Sequence, residues 1–564
     1  MKRYTYHPMH MHLHCCFQAG ASMASHMHNA NVLGMQYIRF TDHDTRMCRR
    51  KNPCNGFDFT KETLVVEDAP GCHCGWQEIY GEPELRLENA SMVLSSHAPA
   101  GEKKWGGYGF QASDKRHSIS LMCDVTLLLE MDVSISETSS VILDVRLSQR
   151  PPDHKPAHLY YVFGGAKVPD EPHSVLIPME FSPDGIYRLT LSEDVQKEGI
   201  RDVVGGLDNA FDTISILTEA WDEGVCECRI RRFEIHAETF GQTVLDRQRT
   251  LAEEVGKRYG IKPLTTTEIS GAGQHKNCFS GHVPIIDYSL HDFSVTQTEA
   301  VEHVNKYGGI FSYNHPLDRY KRKKLTPEER NFILHRDAAS FLASRLWGAT
   351  LMEVGFVRGY GPFSFEDHLT LWDLLTLGGL FVTGYGDSDA HSSNINWFDG
   401  KNFVAYIAAD EAIPFPVPEE EFISSMKAGR VYTGDPVYIK GQVSLTMDAL
   451  PMGAVKLVSH KDREKHEVVF RAEQCEKDWN VCVVINGERV MGFPAGEKTD
   501  ENGTLSFSFS LSRSLPVNFA RVEMYLPCGR CILLTNPVYL VSKEEFKGEI
   551  PLERLYQNDK EKNL

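Results

Sequence analysis

Residues 383–391 read Thr383-Gly384-Tyr385-Gly386-Asp387-Ser388-Asp389-Ala390-His391. A short β-type run is followed by two glycines that permit close backbone approach, and then by Asp-x-His. In α/β barrels the C-terminal ends of the strands carry the chemistry, so acids and a histidine here predict a site. Two other stretches share this form. Gly309-Ile310-Phe311-Ser312-Tyr313 runs into Asn314-His315-Pro316, and Tyr37-Ile38-Arg39-Phe40 runs into Thr41-Asp42-His43-Asp44. Near the N-terminus, His12 and His14 are spaced i, i+2, which on a strand turns both rings to one face. Alone, that pair reads equally well as a chelate or as a partly exposed polar strand. Together, the four strand ends predict a multinuclear metal site.

Working outward, helical pattern is expected at Ala24 to Gly34, Val244 to Tyr259, Glu299 to Tyr307, Phe365 to Leu377 and Glu419 to Ala428. Strands are expected between them at Ile310 to Asn314, Thr350 to Val354 and Phe381 to Gly384. This alternation predicts an α/β barrel or parallel sheet. From about 75 to 240 the pattern is instead short β runs between Pro, Gly and Asp turns, which predicts an inserted, jelly-roll-like β-sandwich. Strands return after 436, with Asn486-Gly487 as a hairpin signal. The expected organisation is a barrel in two parts, 1–60 and 241–435, an inserted sandwich at 61–240 and a C-terminal sandwich at 436–564.

The chain has 564 residues, 41% hydrophobic and 24% charged, with a formal net charge of -18. That balance argues against nucleic acid, whose binding needs a basic face to release counterions. No apolar run is long enough to span a membrane, and Met1-Lys2-Arg3 leads into polar, His-rich sequence instead of a signal core. A cytoplasmic protein with reduced thiols is expected. Cys72-His73-Cys74, Cys226-Glu227-Cys228 and Cys528-Gly529-Arg530-Cys531 lack paired zinc-finger spacing. His26 and His28 are expected to face solvent on their helix.

The strings HMHLH, FTDHD, FSYNHP and GYGDSDAH, in this order, resemble the four motifs of the PHP (polymerase and histidinol phosphatase) superfamily. The segment Ala408 to Asp435 resembles the tail of its carbaryl-hydrolase-like branch. The resemblance covers residues 1 to about 50 and 245 to 435. It implies a distorted (β/α)7 barrel with two or three divalent ions (Zn, Mn or Fe). It further implies a bridging acid and another His between the second and third motifs. Glu268 matches the first, and His275 matches the second better than its rival His282, because Asn277 follows two residues later. Carried over, His12, His14, Glu268 and Asp389 hold one ion, and Glu268, His275 and His315 hold the second. His43 and His391 belong to a third site, which the loop Cys15 to Ser22 leaves without its usual acid or His.

If that third site is unused, His43 or His391 is free to bind substrate or donate a proton, since imidazole titrates near neutral pH. Arg46 and Arg358 are candidate anion ligands, with a surface ion pair as the alternative for each. Glu353 is a candidate for orienting a ligand His. The expected activity is hydrolysis of a small phosphate ester, extending to a sugar phosphate or glycan-linked ester. The alternatives are a carbamate, amide or carboxylic-ester hydrolase, and a non-enzymatic glycan-binding protein with structural metals.

Overall fold

The computed structural model describes residues 3–17, 20–48, 57–58, 76–81, 84–111, 118–165, 171–288, 295–320, 323–355, 362–393, 397–398, 403–459, 465–474, 479–491, 503–512 and 514–555. Strands make up 40% of the structure and helices 22%. This β-rich balance corrects the expected α/β, (β/α)7 barrel. The strands assigned to that barrel belong to two different ladders. Tyr4–Leu13, Tyr37–Phe40 and Lys262–Thr265 lie in an 11-stranded sheet, which runs on through Val404–Asp410 and Val431–Gly434 into Cys531–Thr535 and Val517–Tyr525. Glu268–Ile269, Lys276–Phe279, Ile310–Tyr313, Leu351–Glu353 and Thr383–Tyr385 form a separate five-stranded sheet.

Both sheets are mixed. Tyr4–Leu13 pairs parallel with Tyr37–Phe40 but antiparallel with Val404–Asp410. Glu268–Ile269 turns directly back, antiparallel, onto Lys276–Phe279. Such a return needs no crossover helix, which is why counting helices between strands misled the prediction. The two sheets meet at isolated bridges, Leu13 with Ala390 and His43 with Glu268.

Between the second and third candidate motifs, a seven-stranded and a six-stranded sheet are built mostly from antiparallel pairs. Alternate residues of Ser139–Arg150 (Val141, Leu143, Val145 and Leu147) point into the main core, the period-2 pattern of a sandwich layer.

The helix Pro327–Ala343 was not anticipated, although its start carries a legible signal. Thr326 caps Glu329 N–H, Glu329 returns the bond, and Pro327 occupies the first turn. His26, expected to face solvent, is instead fully buried. Its Nε2 donates to the His14 carbonyl (3.0 Å), while Nδ1 accepts from Trp397 Nε1 (3.1 Å). The helix packs inward because the insertion caps its other side, where Ser22 and Ser25 both donate to the Gln149 carbonyl.

Residues near the C-terminus clamp the strand Thr383–Tyr385. Asn536 accepts from Gly384 N–H (2.9 Å) and donates to the Gly384 carbonyl (2.7 Å), and Arg554 donates to Thr383 Oγ1 (2.6 Å). Just beyond, a Cβ on Gly386 would strike Thr433 and stand 2.8 Å from Phe403 Cβ. Gly386→Ala is therefore expected to destabilise the protein by about 1–3 kcal/mol, the usual penalty for overpacking. Denaturant unfolding would measure this, and an unchanged midpoint would contradict the close packing.

Among the described residues no helix is long and apolar enough to cross a membrane. The described cysteines, including those at 226, 228, 528 and 531, are free thiols. Cys72 to Cys74 lie outside the described residues.

Candidate metal centre

Tyr4–Leu13 and the residue after it bring His12 and His14 to the junction of the two sheets, both at 0% exposure. Their Nε2 atoms stand 3.1 Å apart. Asp389 Oδ1 is 3.0 Å from His14 Nε2 and 3.4 Å from His12 Nε2. Glu268 contributes Oε1 at 3.4 Å from His12 Nε2 and Oε2 at 3.8 Å from His14 Nε2. Donors bound roughly 2.0–2.1 Å from one ion must lie about 3–3.5 Å from each other, so this spacing suits a shared cation.

On its other side Glu268 Oε1 lies 3.1 Å from His275 Nδ1 and 3.5 Å from His315 Nε2. Asn314 Nδ2 donates to the same oxygen (2.9 Å). Glu268 thus stands between the two predicted donor sets. His282 lies elsewhere: its side chain is 80% exposed and it pairs with Glu420.

His43 Nδ1 is 2.6 Å from Glu268 Oε2 and 2.6 Å from Ser270 Oγ. His391 Nδ1 accompanies Asp389, 2.8 Å from its carbonyl and 3.3 Å from Oδ1. The rings of His43 and His391 both lie against His14, at 4.5 and 4.3 Å between centroids. The loop after His14 adds no acid to them; Cys15 and Cys16 gather instead around Asp42.

Two candidate ligands sit in left-handed backbone that non-glycine residues seldom adopt, His315 at φ 27° and Asp389 at φ 46°. Such conformations persist where the surroundings over-determine them, and they cluster at functional sites.

The electrostatics are those of crowded acids and imidazoles. Burial and then the charges of His391 and His43 hold His14 well below 6.5, which favours the neutral ring. Burial pushes His43 down to about 3 despite Glu268. At His12 burial is outweighed by Asp389, Glu268 and Glu353, which hold its pKa well above 6.5. His315 is likewise buried, yet its hydrogen bond to Glu268 and the nearby acids raise it to about 9. Burial opposes the Glu268 charge, but His275, His43 and His12 keep its pKa well below 4.5.

Glu353 organises the surroundings. Its Oε1 accepts from His12 Nδ1 (2.7 Å) and Tyr385 OH (3.2 Å), while Oε2 accepts from His315 N–H. Fixing Nδ1–H in this way aims Nε2 at the donor cluster. Asp387, fully buried beside His12 (3.8 Å) and raised well above 3.8 by burial and Glu353, was missed as a separate participant. It stands in the same Asp-x-Asp-x-His string as Asp389. Arg46 donates to the Phe17 carbonyl (3.1 Å); its charge adds to the burial that depresses His43 and partly offsets the burial that raises Asp42. Arg358 lies outside the described residues.

No known family matches the chain, and no curated protein matches it. Among solved structures it is similar to a family 12 xyloglucanase from Bacillus licheniformis, at 9% identity and a TM-score of 0.22, over 29% of this chain and 87% of that one. Endoglucanase cel12A from Rhodothermus marinus gives 9% identity and 0.22, over 29% and 92%. Endoglucanase 3 from Trichoderma harzianum gives 6% and 0.22, over 30% and 93%.

Proposed function

We propose that this chain is a metal-dependent hydrolase, acting on a small phosphate ester. The observation that carries the reading is the place of Glu268, whose Oε1 is 3.4 Å from His12, 3.1 Å from His275 and 3.5 Å from His315. His12, His14, Glu268 and Asp389 would hold one divalent ion; Glu268, His275 and His315 would hold another. The order of the four sequence motifs, which resembles that of the PHP superfamily, supports the same assignment. Mixed imidazole and carboxylate donors suit Zn, Mn or Fe.

When bound, a pair of such ions would lower the pKa of a water and offset negative charge on the attacked group. The chain's own residues supply the rest. Glu353 holds the His12 ring by its Nδ1–H. Asn314 holds Glu268 Oε1 so that the carboxylate cannot rotate away. His43, which burial pushes down to about 3, favours the neutral ring and so suits ligation better than giving up a proton. His391, with a quarter of its side chain open to solvent, is the better placed proton donor for a leaving alkoxide. Arg46, whose charge is felt at His43, would offer a guanidinium to a phosphate oxygen. The large β insertion would wall the site or hold the rest of the substrate, a carbohydrate-linked ester among the classes to be tried.

The test is turnover by metal-reconstituted protein of p-nitrophenyl phosphate, its diester and a naphthyl carbamate, side by side. Phosphate ester hydrolysis lost on chelation is the expected result. Preference for the carbamate would move the reading to carbamate or amide hydrolysis, and no turnover with Zn, Mn or Fe would overturn it.

A further inference from the structure

Directly after His14 the chain turns, and two adjacent cysteines do something neighbouring side chains seldom do. In extended backbone consecutive side chains point to opposite sides. Here Cys15 Sγ and Cys16 Sγ converge to 3.3 Å. Asp42 joins them, with Oδ2 3.3 Å from Cys15 Sγ and Oδ1 accepting the Cys15 N–H at 3.0 Å. From the helix Gln242–Tyr259, Gln248 points its amide into the same spot, with Nε2 2.5 Å from Asp42 Oδ2 and 3.6 Å from Cys15 Sγ. All four residues are 0% exposed, and Gln248 Oε1 has no hydrogen-bond partner.

We infer that Cys15, Cys16, Asp42 and Gln248 form a separate site for a thiophilic divalent cation, zinc in the first place. Three donors come from protein atoms that lie mutually within 4.8 Å. Rotating the Gln248 amide by half a turn, which exchanges its nitrogen and oxygen, would give up the Nε2 bond to Asp42 and turn the oxygen to the ion as a fourth donor. Two sulfurs and two oxygens match the tetrahedral preference of zinc. At roughly 2.3 Å from zinc, two sulfurs stand about 3.7 Å apart, so the thiols need to spread by only a few tenths of an ångström. A buried carboxylate with two thiolates is tolerable only beside a cation, which the ion itself provides. The site backs onto His14, whose neighbour is one of its ligands, and would brace the histidine from behind. It is distinct from the His and carboxylate centre because it alone contains sulfur.

That difference makes the test independent of any activity. The whole reduced protein, stripped with a chelator, is reloaded with Co2+ and its near-ultraviolet absorption is recorded. A thiolate-to-cobalt charge-transfer band is expected, and it is expected to vanish in a Cys15→Ser/Cys16→Ser protein. Metal analysis should find one ion fewer per chain in that variant, with the remaining ions retained. The wild-type spectrum needs no variant to fold. Absence of the band in reduced wild-type protein, or equal metal content in the two proteins, would overturn the inference and leave a hydrogen-bonded thiol pair.

Discussion

Glu268→Ala protein is expected to lose most of its bound metal and at least about 100-fold in turnover. Partners that merely orient a ligand already change affinity or activity by ~10- to 100-fold, and Glu268 is proposed as the ligand common to both donor sets. Its removal would leave His12, His275 and His315 without the acid that faces all three. Metal content by elemental analysis and initial rates with the best substrate measure the effect together. If Glu268→Ala retained both ions of the His and carboxylate centre, the bridging role would be wrong, whatever happened to the rate. Glu268→Gln separates charge from shape. It keeps one oxygen but not the negative charge, and should fall between wild type and alanine in affinity.

The second large effect lies away from the site. Arg521, 2% exposed on Val517–Tyr525, forks onto Asp373 of the helix Phe365–Leu377 at 3.0 and 2.8 Å and also donates to Glu523. Arg489 reaches Glu523 (3.1 Å), Tyr525 OH (2.9 Å) and Glu366. Arg521→Ala would leave two buried acids with less compensation, and about 3–5 kcal/mol of destabilisation is expected. Arg521→Met should recover part of the packing but not the charge. Denaturant unfolding of the three proteins checks this, and a loss under about 1 kcal/mol for alanine would show that water reaches the acids. Because the pair joins the C-terminal strands to a helix beside the five-stranded sheet, a loss of metal affinity is expected to accompany the unfolding shift.

The candidate ligands at the strand ends were legible because their signals are local. A β-type run followed by Asn-His, Asp-His or Asp-x-His marks a strand and its end within nine residues. His12, His14, His43, Glu268, His275, His315, Asp389 and His391 lie together in the structure. The sheet architecture was not legible to the same depth. Nothing near Val404 announces that it pairs antiparallel with the first strand, and nothing near Asn536 announces that it grips Gly384. Gln248 sits on an amphipathic helix where a buried amide breaks no visible pattern, and only its partners from residues 15 and 42 give it meaning. The burial of His26 has the same origin: one face of its helix is covered by a distant insertion, which periodicity within the helix cannot reveal.

The first strand has partners from opposite ends of the chain. Tyr4–Leu13 is held on one side by Tyr37–Phe40 and on the other by Val404–Asp410, almost four hundred residues later. Closing so long a loop adds little to the thermodynamic penalty, since each doubling of loop length costs only about 0.6 kcal/mol. Its effect is on timing, because distant contacts must be found before they reward the chain. During synthesis His12 and His14 emerge early and must wait, half-framed, until Asp389 and the strand after it arrive. The surroundings of His12 and His14 are therefore completed late in folding, and a nascent chain ending before Asp389 lacks one of the acids that face them.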